Sequence, residues 1–244
     1  MSKAIGIIPA RWASTRFPGK PLQLIGGEPL LRRVWERVRR AKNLDAVIIA
    51  TDDKRIANAA SDWGADVVMT SRSHKSGTDR IAEVAAKIPT AEIIVNIQGD
   101  EPLIEPRLID KLVETLRRNR KIDIVTAGHP FANAREMLSP HQVKVAIDSR
   151  GRALDFSRKP IGGDKVLRHQ GIYAFRRSTL LKFVKLKPTR RERAESLEQL
   201  RALENGVTIH VLVTRHGSPG VDTPQDAKAL EQKLARAKGR SSRR

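Results

Sequence analysis

The segment from Pro9 to Leu22 gathers three cations, Arg11, Arg16 and Lys20, among the small residues Ala10, Ala13, Ser14 and Gly19, with Pro18 and Pro21 stiffening it. Small residues let backbone N–H groups approach a phosphate, and fixed cations neutralise its charge. The glycine spacing is neither that of a Walker loop nor that of a G-x-G-x-x-G turn. On residue types alone the segment is a phosphate loop or a basic surface loop. Two acids extend the pattern. Asp100 lies in Gln98-Gly99-Asp100-Glu101-Pro102, and Asp222 lies in Gly220-Val221-Asp222-Thr223-Pro224. Each has a local alternative, Asp100 as a turn residue and Asp222 as a helix cap. Mg²⁺ is commonly held by one or two carboxylates together with phosphate oxygens and water. Two acids after two predicted strands, and a basic loop after a third, favour a metal–triphosphate site over the separate local roles.

The elements that must position these residues alternate. Ala4–Ile8 reads as an apolar strand, and Leu30, Leu31, Val34, Trp35 and Val38 form a stripe at helical spacing after Pro29. A strand over 46–50, a helix with Ile56, Ala59, Ala60 and Trp63 ended by Gly64, and a strand over 66–69 follow. A third helix carries Ile81, Val84, Ala85 and Ile88, then a strand covers 92–97 and a helix carries Leu108, Ile109, Leu112, Val113 and Leu116. This order predicts an α/β fold with three layers and a mainly parallel sheet, in which ligands bind at the carboxyl ends of strands. Residues 120–175 differ, with strands over 122–127, 143–147, 152–156 and 166–175 and a hairpin turn at Asp148-Ser149-Arg150-Gly151. They read as an inserted or edge β section. A helix around Leu197, Leu200 and Leu203, a strand over 207–213 and a capped helix from Thr223 complete a single domain over 1–230. Residues 231–244 read as a basic helix end and a disordered tail.

Composition narrows the function. There is no cysteine, so disulfides, thiolate metal sites and cysteine nucleophiles are excluded. The apolar stretch near the N-terminus is too short for a signal peptide, and no run approaches the roughly 20 residues of a membrane helix. These features predict a cytoplasmic protein. The formal charge of +20 favours anionic partners, whether nucleic acid, anionic lipid, nucleotides or acidic sugars. A nucleic-acid binder needs aromatics among its cations, and aromatics are 4% of this chain, so nucleic acid is not the expected main partner.

The stretch Ile8-Pro9-Ala10-Arg11-x-x-Ser14-Thr15-Arg16-x-Pro18-Gly19-Lys20-Pro21-Leu22 resembles the nucleotide loop of the acidic-sugar cytidylyltransferases. Further segments agree in order: Ala50-Thr51-Asp52, His74 to Arg80, Val95 to Pro102, Val143-Lys144-Val145, Phe156-Ser157-Arg158, Arg168 to Tyr173, Leu197 to Arg201 and Gly220 to Pro224. The ordered set resembles the 3-deoxy-manno-octulosonate (Kdo) cytidylyltransferase family. That resemblance implies a homodimer joined through the middle β section. It also implies a reaction that moves CMP from CTP to Kdo in lipopolysaccharide synthesis.

The resemblance also implies roles. Arg11 and Lys20 would clamp the CTP phosphates, with Pro9, Ala10 and Ser14 in the same loop. Ser76, Gly77, Thr78 and Arg80, with Gln98, would lie along cytosine and ribose. Asp100 and Asp222 would bind Mg²⁺. Gln98, Arg158, His169, Tyr173, Glu198 and Gln199 would line the sugar pocket, with Arg158 opposite the carboxylate. On the residues alone, His169 and Tyr173 could instead share a packed strand face, Glu198 could pair with Arg201, Arg158 could end a strand, and Lys144 could reach a phosphate or sit at a strand edge. Two stretches depart from the family pattern: the short segment 159–168, and the basic run Pro188 to Arg193.

Overall fold

The computed structural model describes residues 2–13 and 17–241. Ser14 therefore lies outside the described residues. The chain opens with β1 (Ala4–Ala10), a 3-10 turn at Lys20–Leu22 and the short pair β2 (Leu24–Ile25) and β3 (Glu28–Pro29), followed by α1 (Leu30–Val38), β4 (Ala46–Thr51) and α2 (Lys54–Asp62). Next come β5 (Asp66–Met69), α3 (Gly77–Ala86), β6 (Ile93–Asn96), α4 (Pro106–Arg118), β7 (Ile124–His129) and α5 (Ala134–Leu138). The remainder is β8 (Lys144–Ile147), β9 (Ala153–Ser157), β10 (Lys165–Arg176), α6 (Arg177–Phe183), α7 (Arg190–Glu195), α8 (Glu198–Glu204), β11 (Ile209–Val213) and α9 (Pro224–Ser241).

The strand residues are apolar on both faces because helices cover both faces. In β1, Ala4, Ile8 and Ala10 pack into one core, while Ile5 and Ile7 pack into the other. In β6, Ile93 and Val95 face the first core and Ile94 the second. The period of two along a strand sends alternate side chains to opposite layers. Helices α1, α2 and α4 close the first layer, and α3, α6 and α8 close the second. Fully burying one such isoleucine stabilises by about 1.5–3 kcal/mol, so the two layers hold the strand ends of the site in place.

One nine-stranded sheet has the path β11-β7-β10-β6-β1-β4-β5. Strands β1, β4, β5 and β6 run parallel, as do β7 and β11, while β10 is antiparallel to both β6 and β7. The middle β section enters the same sheet: β8 pairs with the start of β10, and β9 pairs with β8 as an antiparallel hairpin. Its turn is held by Asp148 Oδ1, which accepts from the Arg150 and Arg152 amides.

A third, smaller core of Phe17, Ile25, Leu30, Val221, Ala227 and Leu230 joins the loop after β1 to the start of α9. That start is a capping box. Thr223 Oγ1 accepts from the Asp226 amide at 3.2 Å, and Asp226 Oδ2 accepts from the Thr223 amide at 2.8 Å. Helix α9 runs on past residue 231 to Ser241. Three short helices, α5, α6 and α7, were not expected from the sequence pattern. Asn133 caps α5, and Thr189 with Glu192 forms a capping box on α7.

Candidate active site

Strands β1 and β6 are neighbours, so their carboxyl ends deliver two loops side by side. The loop after β1 folds back on itself, with the Gly19 amide donating to the Trp12 carbonyl at 3.2 Å. Gly19 has φ 69, and a Cβ there would lie 3.1 Å from the Trp12 ring. Glycine satisfies both demands. The Arg55 guanidinium stacks on the other partner of this turn, 3.5 Å from the Trp12 ring centroid. Lys20 follows Gly19 and aims its side chain at the loop after β6.

Lys20 Nζ donates to Asp100 Oδ2 at 2.7 Å and to Asp222 Oδ1 at 3.3 Å. Asp222 comes from the far edge of the sheet, beyond β11. Its approach is secured by the Val221 amide, which donates to the Asp100 carbonyl at 2.8 Å, and by burial of Val221 in the small core. The two acids named from sequence therefore meet around one cation. Asp222 is not the cap of α9; Thr223 takes that place. Among the described residues no group of three or more His, Cys, Asp or Glu is placed to hold a metal ion.

These residues border a cavity of about 280 Å³ lined by Pro9, Ala10, Arg11, Lys20, Ser76, Gly77, Arg80, Gln98, Asp100 and Asp222, together with Pro21, His74 and Gly99. Its charged end is Lys20, Arg11 and the two acids. At the other end, α3 begins at Gly77, and Ser76 caps it by accepting from the Asp79 amide at 3.1 Å. The unsatisfied amides and dipole of that helix end favour negative charge nearby. Arg80 is buried and committed to Asp52 at 2.9 Å and to Thr70, so its charge is already balanced. His74, quoted in a motif but given no role from sequence, donates or accepts at 2.6 Å with Glu83. The Glu83 carboxyl is held down to about 2 by Lys87, the Ser71 amide and His74, against the effect of burial. An acid this firmly ionised accepts from the ring, so Nε2 carries the proton.

A second cavity of about 430 Å³ shares Gly77 and Gln98 with the first. It is lined by Arg158, His169, Tyr173, Glu198 and Gln199, and also by Thr78, Asn96, Val143, Gly171 and Ser196. All six residues expected around a sugar are here; Thr78, expected along the nucleotide, lines this cavity instead. Thr78 Oγ1 donates to Glu198 Oε2 at 2.6 Å. Arg201 pairs with Glu192 rather than with Glu198, so the local helix pairing does not form. His169 and Tyr173 do share one face, with ring centroids 5.4 Å apart, and that face is also a cavity wall. Burial pushes the His169 ring down to about 3 and the Tyr173 hydroxyl upward, the latter aided by Glu198, so both stay uncharged.

Arg158 follows the end of β9. Its amide donates to Glu195 Oε2 at 2.6 Å and its Nε to the Glu195 carbonyl at 2.8 Å. Nothing in the sequence pointed to Glu195, whose role depends on α7 packing beside β9. Ser196, next in the chain, has φ 52, a left-handed conformation rare outside glycine, at the cavity wall. Lys144 is neither a phosphate ligand nor an edge residue. Its side chain is fully buried, and Nζ donates to the Ser139, Gln142 and Arg158 carbonyls at 2.6, 2.9 and 2.7 Å. Burial, then the Arg158 charge, lower its pKa.

An open α/β sheet with a cation and two carboxylates at its carboxyl edge, beside a second cavity that shares two residues with the first, is the arrangement of a nucleotide-binding α/β protein. A family model described as cytidylyltransferase matches residues 5–209. A 3-deoxy-manno-octulosonate cytidylyltransferase of Geobacter sulfurreducens is 48% identical over 93% of this chain and 98% of its own length. One from Leptospira biflexa is 46% identical over 93% and 94%. A solved CMP:2-keto-3-deoxy-manno-octonic acid synthetase complexed with CTP superposes with a TM-score of 0.93 at 40% identity, over 97% of this chain and all of that one. The chain belongs to the 3-deoxy-manno-octulosonate cytidylyltransferase family.

Proposed function

We propose that this protein transfers CMP from CTP to the anomeric hydroxyl of Kdo and releases pyrophosphate. The observation that carries this reading is the pair of cavities joined through Gly77 and Gln98, one with a charged end and the other with Arg158, whose guanidinium forms no ion pair among the described residues. Such an arrangement puts a nucleotide and a sugar acid end to end.

The triphosphate would lie at the Lys20, Arg11, Asp100 and Asp222 end, where cations offset its charge. The base and ribose would lie toward Ser76, Gly77 and Gln98, where the one arginine is already paired. In the second cavity Arg158 faces the sugar carboxylate, and its Nε bond to Glu195 fixes the guanidinium plane for a two-pronged contact. Uncharged His169 and Tyr173 and the Glu198–Gln199 pair then orient the hydroxyls. The new bond joins the anomeric oxygen to the α-phosphorus as the α–β phosphoanhydride breaks. The residues act mainly by positioning and charge neutralisation.

Asp100 and Asp222 would also hold Mg²⁺. The donor set fits: two hard carboxylates converge where a positive charge already sits, and an ion there would take the place of the Lys20 ammonium, which would turn to the phosphate oxygens that complete the shell. Bound there, the ion supplies charge stabilisation and a more acidic hydroxyl. A homodimer built through the middle β section, a cytoplasmic location and a place in lipopolysaccharide synthesis belong to the same reading. No helix among the described residues is long and apolar enough to cross a membrane.

The test is pyrophosphate release with CTP, Kdo and Mg²⁺, repeated with other nucleotides and other keto-sugar acids. Turnover restricted to CTP and Kdo supports the reading. Equal turnover with a sialic acid would move the substrate assignment to another acidic sugar.

A further inference from the structure

Asn96 closes β6 at the floor of the second cavity. Its side chain is buried, at 3% exposure, and its Oδ1 has no hydrogen-bond partner among the described residues. A buried amide oxygen without a donor is uncommon in folded proteins and destabilises the fold that contains it. Asn96 stands directly opposite Tyr173 across the β6–β10 pairing, so the two side chains rise from the same face of the sheet. Both reach the same cavity.

Three donors that line the same cavity are committed elsewhere, and the Tyr173 hydroxyl makes no bond to Asn96 Oδ1. Gln98 Nε2 donates to the Gly171 carbonyl at 2.9 Å, Thr78 donates to Glu198, and His169 Nε2 is 3.0 Å from Thr126 Oγ1. Thr126 Oγ1 lies 2.7 Å from the Ile172 carbonyl, where its hydrogen goes, so the His169 ring donates to it. The protein therefore leaves one acceptor unmade in this cavity, beside the uncharged His169 and Tyr173. That acceptor suits an O–H donor rather than an anion.

We propose that Asn96 is a sugar-specificity residue, its side-chain amide accepting a hydrogen bond from one hydroxyl of the bound sugar acid. This rests on the assignment of the second cavity to the sugar. Arg158 takes the charged end of the ligand, and Asn96 reads one alcohol along its carbon chain. A site built to bond a hydroxyl rejects the analogue lacking it, because the buried acceptor is then left without a partner.

The experiment compares wild type with Asn96→Leu and Asn96→Ser on CTP with Kdo and with a series of Kdo analogues, each lacking one hydroxyl. Asn96→Leu removes an unsatisfied polar group at similar volume, so its melting temperature is expected to equal or exceed that of wild type. Its KM for Kdo is expected to rise at least tenfold while its KM for CTP stays within twofold. One deoxy analogue is expected to be poor for wild type yet no worse than Kdo for Asn96→Leu. Asn96→Ser, which keeps a short hydroxyl, is expected to fall between them. A KM for Kdo within twofold of wild type in both variants overturns the inference and leaves Asn96 as an amide satisfied by buried water. So does a deoxy series in which variant and wild type lose equally at every position. Failure of wild type to turn over CTP with Kdo would instead overturn the function proposed above.

Discussion

Thr78 and Glu198 lie 120 residues apart in sequence, yet Thr78 Oγ1 donates to Glu198 Oε2 at 2.6 Å. Thr78 belongs to the first turn of α3, whose first residue, Gly77, lines both cavities, and Glu198 opens α8 on the wall of the second. The bond thus ties the helix that starts between the two cavities to the far wall of the second. Hydrogen bonds to charged groups contribute about 1.5–3 kcal/mol. Thr78→Val, which keeps the shape and removes the hydroxyl, is expected to lower kcat/KM for the sugar roughly tenfold or more and to leave CTP binding nearly unchanged. Steady-state kinetics with each substrate varied in turn will show it; a uniform loss for both substrates would contradict it.

Lys20 stands between Asp100 and Asp222, so removing an acid and removing the cation have distinct expected phenotypes. Asp100→Asn keeps volume and removes charge, and is expected to reduce kcat by about a hundredfold or more with little change in thermal stability. Lys20→Met removes the ammonium between two like charges and is expected to destabilise the free enzyme as well as slow it. Removing Mg²⁺ with a chelator is expected to abolish pyrophosphate release, and adding it back to restore the rate. Activity that survives chelation would count against the two acids as metal ligands.

Lys144 spends its buried ammonium on three backbone carbonyls, one of them that of Arg158. Lys144→Met leaves those carbonyls short of a donor, at a cost of about 2–4 kcal/mol. For a chain of this size that corresponds to a fall in melting temperature of roughly 5–15 °C. Because the Arg158 carbonyl is released, KM for the sugar is expected to rise more than KM for CTP. Calorimetry and kinetics on the same preparation separate the two effects.

His169 makes stability depend on pH. Burial holds the folded ring near a pKa of about 3, below its unfolded value of about 6.5. As pH falls below about 6.5 the unfolded chain takes up the proton first, so the unfolded state gains. The contribution of the neutral ring is complete above about 6.5 and is lost toward pH 3, by about 1.4 kcal/mol per pH unit for one proton. Urea unfolding of wild type between pH 6 and 4 is expected to show this slope, and His169→Gln is expected to flatten it.

The strands that carry the site were legible because they are short, continuous apolar runs buried on both faces. Ala4–Ala10, Ala46–Thr51 and Ile93–Asn96 are apolar on both faces, and the helices between them carry apolar stripes at helical spacing. Residue chemistry favoured Asp100, Asp222 and the basic loop as one site, because a basic loop and two acids after strands have few shared purposes, and the family resemblance singled out Lys20 within that loop. The short helices α5, α6 and α7 escaped, since five to seven residues hold at most two turns and these three lack the leucine spacing that marked the equally short α8.

The sequence by itself therefore determined which segments become strands and helices, and which side chains carry charge at their ends. Only the tertiary structure decided who meets whom. Asp222 reaches Asp100 because Val221 is buried beside Phe17 and bonded to the Asp100 backbone. Glu198 turns to Thr78 instead of Arg201, Glu195 holds Arg158, and Lys144 ends inside the protein. Local periodicity records how one segment divides between core and water, whereas these contacts depend on the order of strands in the sheet and on the packing of distant segments, which no local pattern encodes.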